Sequence, residues 1–180
     1  EHRKLAQNEN TSGEILVELY HSKVHNIYDS IYLSRREIEK LLASNPNTPV
    51  EILEKLSKSY YEEIIDNPVF ELLLLEDPNR YFLKSCLARS NKTSVEILEK
   101  LSCDRDYQIQ AQIAKNPYIS AKIIDKYAQN KEFCLCCIGE LIKHTNKISL
   151  ETWWLLASYN YQHVLIRTNF ARYAQAPIEI

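Results

Sequence analysis

Apolar residues recur along the chain at the three- and four-residue spacing of an amphipathic helix. Ile52, Leu53 and Leu56 form one such stripe, and Thr48 and Pro49 precede it. A threonine followed at once by proline, and by glutamate three residues on, is typical of a helix N-terminus. The pattern therefore predicts a helix that begins near Thr48.

The threonine and the glutamate three residues on occur twice more, at Thr11 with Glu14 and at Thr93 with Glu96, with serine in place of the proline. In each case we expect the threonine side chain to cap the first turn and the glutamate to complete a capping box. The sequence thus predicts helices that begin near Thr11, Thr48 and Thr93. It also predicts no β-sheet, because tight hairpin turns favour glycine and the chain has only 2 glycines.

These helix starts belong to an internal repeat of about 24 residues. Residues 42–56 read LASNPNTPVEILEKL, and residues 87–101 repeat them as LARSNKTSVEILEKL. Residues 5–19 and 113–127 are further copies, and degenerate copies follow the same pattern elsewhere. The position of Asn45 corresponds in the other copies to the following residues: Asn8, Asn67, Ser90, Asn116, Thr145 and Tyr173.

The second half of each unit is predicted to be a shorter helical segment with an apolar side of its own. In one unit this side consists of Tyr107, Ile109 and Ile113, and Tyr81 and Leu83 hold the same places one unit earlier. From their positions in the repeat, we expect all five side chains to point inward.

Leu53 and Leu98 occupy the same step of the apolar stripe in the two most similar copies. We therefore predict that they are equivalent buried residues of two units. Neither helix of a unit can bury its apolar side alone, so the units are expected to stack.

The repeats resemble those of the leucine-rich repeat variant family, whose units follow V-A-x-N-P-N-T-P-x-E-V-L-x-x-L-A-x-D-x-D-x-x-V-R. Residues 43–56 and 103–119 match this pattern most closely. The resemblance implies an all-α, HEAT-like fold, a right-handed superhelical solenoid of alternating α and 3-10 helices. Gln110 stands where the family often has arginine, so no surface role of that arginine is transferred to this chain.

We interpret residues 1–180 as a single solenoid. Residues 1–41 form an atypical first unit with longer helices after Val24, residues 42–127 hold the clearest repeats, and residues 128–180 hold degenerate ones. The pattern stops in the middle of a copy at Ile180, as expected for a piece of a longer protein.

Charge and hydropathy narrow the classes of partner. The chain has 22 basic and 24 acidic residues and a net charge of −2, whereas nucleic-acid binders usually carry a basic excess. No apolar stretch approaches the length of a membrane span. A basic stripe on a solenoid surface remains an alternative, and it would draw on the following residues: Arg89, Arg105, Lys115, Lys122, Lys126, Lys131 and Lys143.

The strongest candidate for a metal site is the cluster of Cys134, Cys136 and Cys137, with Cys103 or His144 as a further ligand. On a helix Cys136 points about 100° away from Cys137, so the three thiols do not converge. Some leucine-rich repeat variant proteins carry an iron–sulfur cluster in a separate cysteine-rich segment, which this sequence lacks. We predict buried, metal-free thiols. A metal or redox module remains a further alternative.

Catalytic signals are weak. The sequence contains no G-x-S-x-G, no H-E-x-x-H and no glycine-rich phosphate loop. The paired carboxylates Glu62–Glu63 and Asp104/Asp106 are expected to be solvated, as are His21 and His25. We predict no enzyme, no catalytic residues and no cofactor.

The favoured function is a non-catalytic solenoid that presents a surface to another protein. An odd, clustered set of 5 cysteines is typical of a reducing compartment, and we expect the cytoplasm. The sequence singles out no face for the partner and no oligomeric state.

Overall fold

The computed structural model describes residues 1–22, 30–130, 135–158 and 168. All the regular structure in these residues is helical: there are twelve α-helices, one short 3-10 helix and no strand. The predicted all-α class is therefore confirmed. The chain divides into two compact units, Glu1–Cys86 and Leu87–Ile180. A single superhelical solenoid stays a prediction.

The first unit contains six helices and the start of a seventh. Their bounds are α1 His2–Gln7, α2 Gly13–His21, α3 Ser30–Ser44, α4 Val50–Leu56, α5 Tyr61–Ile65 and α6 Val69–Glu76, followed by α7 Tyr81–Arg89, which contains the boundary between the units. The longest is α3, with 15 residues, as expected of the long helices predicted after Val24. Residues 23–29 lie outside the described part.

The second unit continues, in the described residues, with five α-helices and one 3-10 turn between the last two of them. Their bounds are α8 Val95–Leu101, α9 Tyr107–Lys115, α10 Ala121–Gln129, α11 Leu135–Leu141, the 3-10 helix Thr145–Lys147 and α12 Leu150–Ser158. Both halves of the clearest sequence copies are thus α-helical, and the described 3-10 turn lies in a degenerate copy.

The helices begin one position later than the capping boxes predict. Pro49 itself is the N-cap of α4, with an extended ψ of 145°, and it makes no side-chain cap. The Thr48 hydroxyl instead donates back to the carbonyl of Leu42, at 2.7 Å. The last carbonyls of a helix lack partners within it, and this bond satisfies one of those of α3. The threonine therefore closes the preceding helix rather than capping the next one.

The other two predicted starts show the same shift. Thr11 donates to the carbonyl of Leu5 at 2.7 Å, and Ser12 is the N-cap of α2. Ser94 is the N-cap of α8, and its side chain accepts from the Ile97 amide. The positions of the helices were predicted correctly, but the prediction that the threonines cap them was wrong.

Buried asparagine side chains join successive copies in the first unit. The Asn45 amide donates to the carbonyls of Ala6 and Asn8, at 2.9 and 3.1 Å. The Asn67 amide donates in the same way to Ala43 and Asn45, at 2.9 and 3.0 Å. The side-chain oxygen of each asparagine also accepts a hydrogen bond from the backbone amide two residues later. One side chain thus shapes its own turn and binds the turn before it.

The second unit repeats this device and then varies it. Asn116 donates to the carbonyls of Ala88 and Ser90, at 2.9 and 3.0 Å. In the next copy, the His144 ring nitrogen Nε2 lies 2.9 Å from the carbonyl of Ala114. His144, rather than the aligned Thr145, therefore takes the place of asparagine there.

Each unit has an apolar interior. Leu53 is 1% exposed in the first unit and Leu98 is 0% exposed in the second, which confirms that both are buried. The core of the second unit includes Ile109, Ile113 and Trp153. Ile109 and Ile113 lie four residues apart on one side of α9 and are buried, as predicted.

The two tyrosines predicted to point inward do not. Tyr107 is 65% exposed and Tyr81 is 41% exposed, whereas Leu83, Ile109 and Ile113 are fully buried. Each tyrosine is the first residue of its helix. The inward face begins after it, because a helix of 3.6 residues per turn turns the first position away from the third.

Candidate interaction surface

Helix α6 differs from the other helices in its composition. Its eight residues, VFELLLLE, are apolar at six positions, so no polar side opposes an apolar one. Such a helix is normally buried on all sides. Phe70 and Leu73 do point into the first unit and are buried. The opposite side of α6 is exposed.

That opposite side carries two exposed leucines. Leu72 is 64% exposed and Leu75 is 82% exposed. At 100° per residue, positions 71, 75, 72 and 76 follow one another around the helix in that order. Glu71 and Glu76 therefore flank the two leucines, and both are exposed. We call these four residues the outward face of α6.

The surroundings of the outward face are acidic. Between Lys58 and Arg80 the chain carries six acidic residues and no basic one. Glu63 pairs with Lys40 at 3.1 Å, and Asp77 pairs with Arg80 at 3.7 Å. In the described ranges, Glu71 and Glu76 form no ion pair.

The two units differ in charge. The residues up to Cys86 include 10 basic and 15 acidic ones, and those from Leu87 on include 12 basic and 9 acidic ones. The first unit therefore has a net charge of −5 and the second of +3. The small net charge of the whole chain conceals this asymmetry.

Several other exposed apolar side chains stand singly, which is ordinary for a protein surface, and Leu150 and Trp154 form a less exposed pair one turn apart on α12. Several are simply the first residue of a helix: Tyr81, Val95, Tyr107 and Leu150. Only in α6 does the described part of the chain place two widely exposed leucines one turn apart.

A second polar grouping surrounds Cys103. Its sulfur accepts from Nζ of Lys126 at 2.9 Å, and the same ammonium donates to the carbonyl and hydroxyl oxygens of Ser102. The hydrogen bond from Lys126 lowers the pKa of the Cys103 thiol, and partial burial opposes this. Cys103 is exposed, so its thiol is accessible as well as acidified.

The predicted cysteine cluster is described only in part. Cys137 is buried in α11, and burial raises the pKa of its thiol. Cys134 and the side chain of Cys136 lie outside the described part. Among the side chains that are described, no three histidine, cysteine or acidic residues lie together as metal ligands would. A metal-free cluster stays a prediction.

The His144 ring contacts a backbone carbonyl, that of Ala114. Burial lowers its pKa, and the hydrogen bond with the Ala114 carbonyl opposes that shift. The Nε2 atom must carry the proton in this contact, since a carbonyl only accepts. Of the other candidate pair, His21 packs edge-on against the Tyr20 ring, 5.1 Å between centroids, and His25 lies outside the described residues.

Three lysines of the suggested basic stripe have local partners. Lys122 pairs with Glu99 at 2.7 Å, and Lys143 pairs with Glu140 at 2.7 Å. Lys126 is held by Ser102 and Cys103, as described above. Lys131 lies outside the described residues. These partners reduce the cationic surface that a phosphate backbone would contact.

One pair of carboxylates has a structural role rather than a solvated one. Asp106 is the N-cap of α9 and accepts from the Gln108 amide, while Asp104 accepts from the Asp106 amide at 2.9 Å. Gln110 donates to the Asp104 carbonyl at 2.7 Å. The acidic loop thus shapes the start of a helix, and Gln110 binds that loop.

The chain matches no family model, no curated protein and no solved structure. Among the described residues, no helix combines the length and apolar character needed to cross a membrane.

Sequence reasoning missed the outward face of α6, although a signal was present. In the sequence, Leu72–Leu75 is a short apolar run, far below the length of a membrane span. The more informative features were its flanking glutamates and the lack of basic residues between Lys58 and Arg80.

Proposed function

We propose that this chain is a non-catalytic repeat module that binds another protein. Helical repeat proteins offer extended surfaces for partners, and the repeats here resemble those of leucine-rich repeat variant proteins. The observation that carries the proposal is the outward face of α6, because exposed apolar side chains one turn apart are typical of protein interfaces.

The ionisable side chains of the described part support a binding role over a catalytic one. Asp104 and Asp106 serve a helix start, His144 binds a backbone carbonyl, and Lys122 pairs with Glu99 across two helices. Each group therefore has a structural partner that explains its position. A catalytic site instead brings a base, a nucleophile or charge-stabilising donors together in a cleft.

Affinity capture tests the proposal. The wild-type chain and the Leu72→Ser/Leu75→Ser variant are immobilised at equal density and exposed to an extract of the source cells. We expect a protein that the wild type retains and the variant releases. The matched control is Glu51→Gln/Glu54→Gln, which alters two exposed acidic residues of α4 in the same unit. Identical sets of retained proteins on all three surfaces would contradict the proposal.

A further inference from the structure

Resting on the proposed function, we propose that the outward face of α6 binds a cationic amphipathic helix of its protein partner. The partner would contribute an apolar stripe with lysine or arginine on both sides. The ligand is thus defined by two features of α6: the leucines in the middle of the face and the carboxylates along its edges.

The leucines determine the apolar part of the partner. Leu72 and Leu75 lie three residues apart, about 60° apart around the helix, so they form a short ridge. Side-chain ridges of this kind pack into the grooves of another helix. Removing both leucines from water stabilises the complex in proportion to the apolar area covered. A helix with its own stripe at spacing three and four is the matching shape.

The carboxylates determine the charge of the partner. Glu71 and Glu76 lie on opposite sides of the leucine ridge and, in the part of the chain that the structure describes, make no ion pair. They are therefore available to cations on either side of a bound helix. The acidic stretch between Lys58 and Arg80 adds a longer-range attraction that speeds the encounter of cationic partners. The same field repels acidic peptides, nucleic acids and anionic lipid surfaces.

The test uses a synthetic helical peptide of leucine and lysine, with leucines on one side at helical spacing. Calorimetry measures its affinity for the purified chain. We expect the wild type to bind the peptide. Its affinity should fall at least about tenfold in Leu72→Ser/Leu75→Ser, because the two leucines would form the centre of the interface. Glu71→Gln/Glu76→Gln should weaken it several-fold at low salt, and this difference should shrink as salt rises.

Two controls separate the surface from general charge attraction. The Glu51→Gln/Glu54→Gln variant removes the same charge from α4 and should bind as the wild type does. A peptide with the same composition but without the apolar stripe should bind much more weakly. The proposal is wrong if the leucine variant binds as well as the wild type, or if the two glutamine variants weaken binding equally.

A second copy of the chain is the other occupant to test, since its second unit carries a net positive charge. Sedimentation measures self-association of the wild type and of the leucine variant. Self-association that the leucine substitutions abolish would overturn the cationic-partner assignment. So would a protein captured from extract through Leu72 and Leu75 while the leucine–lysine peptide fails to bind, although the proposed function would then stand.

Discussion

Single polar residues join the copies of this sequence, and asparagine is the clearest case. Asn45, Asn67 and Asn116 each donate twice to the preceding turn and accept once from their own. A buried carbonyl without a donor costs about 1–3 kcal/mol. The asparagine position therefore contributes to stability as well as to turn geometry, which its sequence signature did not reveal.

Asn116→Asp tests this role with almost no change in shape. The carboxylate removes both donors and places a negative charge beside the carbonyls of Ala88 and Ser90. We expect the free energy of unfolding to fall by about 3 kcal/mol or more, measured by urea denaturation. The control is Asn146→Asp, which changes an exposed residue of the same unit. Equal effects of the two substitutions would show that the buried donors stabilise nothing.

We expect His144 to make the second unit sensitive to acid. Burial lowers its folded-state pKa, so below its ordinary value of about 6.5 the unfolded chain binds a proton that the folded chain resists. Above the ordinary pKa of about 6.5, the neutral ring contributes its full share to the free energy of unfolding. This contribution is lost as the pH falls through the lower folded-state pKa. We expect the melting temperature to decrease over this range.

His144→Gln should reduce that acid-side decrease, because a glutamine amide reaches about as far as Nε2 and does not titrate. His21→Gln alters an exposed histidine and serves as the control. Melting curves between about pH 7.5 and pH 5 decide the question. An unchanged pH dependence in His144→Gln would mean that other groups cause the loss.

Cys103 is predicted to be the most reactive of the described thiols. Lys126 lowers its pKa, whereas burial raises that of Cys137. Since the thiolate is the nucleophile, iodoacetamide should modify Cys103 well before Cys137, as peptide mass spectrometry would show. Lys126→Met should move the pH midpoint of Cys103 alkylation upward, and Lys100→Met should not. Identical midpoints in the two variants would remove Lys126 as the cause.

At the scale of helices, the sequence predicted where most helices lie. It predicted less well how the helix ends are capped and which of their first residues are exposed. Apolar spacing located α4 and α8 and the burial of Leu53 and Leu98, because hydrophobic burial dominates their energetics. The roles of Thr48 and Asp106 at helix ends depend on which backbone groups are left without partners, and that is a property of the folded turns. Tyr81 and Tyr107 were misplaced because each is the first residue of its helix, and the inward face begins after it.

Leu53 and Leu75 provide a matched pair for the helical assignment. Both are leucines in helices of the first unit, but one is buried and the other 82% exposed. Leu53→Ala should lower the free energy of unfolding by about 2–5 kcal/mol. Leu75→Ala should change it by less than about 0.5 kcal/mol. Urea denaturation of both variants gives the comparison, and a larger loss for Leu75→Ala would show that α6 faces the other way.

At the scale of the whole molecule, the sequence predicted an all-helical chain but not its surface. A helix such as α6, apolar nearly all round, has no stripe from which an inward side can be read. Only the packing of Phe70 and Leu73 identifies Leu72 and Leu75 as the outward residues. The division of charge between the two units was equally hidden, because their opposite net charges nearly cancel in the total.

The central claim is that the outward face of α6 contacts another protein, and site-specific photo-crosslinking in the source cell tests it most directly. A photoreactive residue is placed at position 75 in one variant and at position 54, on α4, in another. We expect a discrete heavier adduct for position 75 and none for position 54. Adducts of equal yield at both positions, or none at position 75, would contradict it.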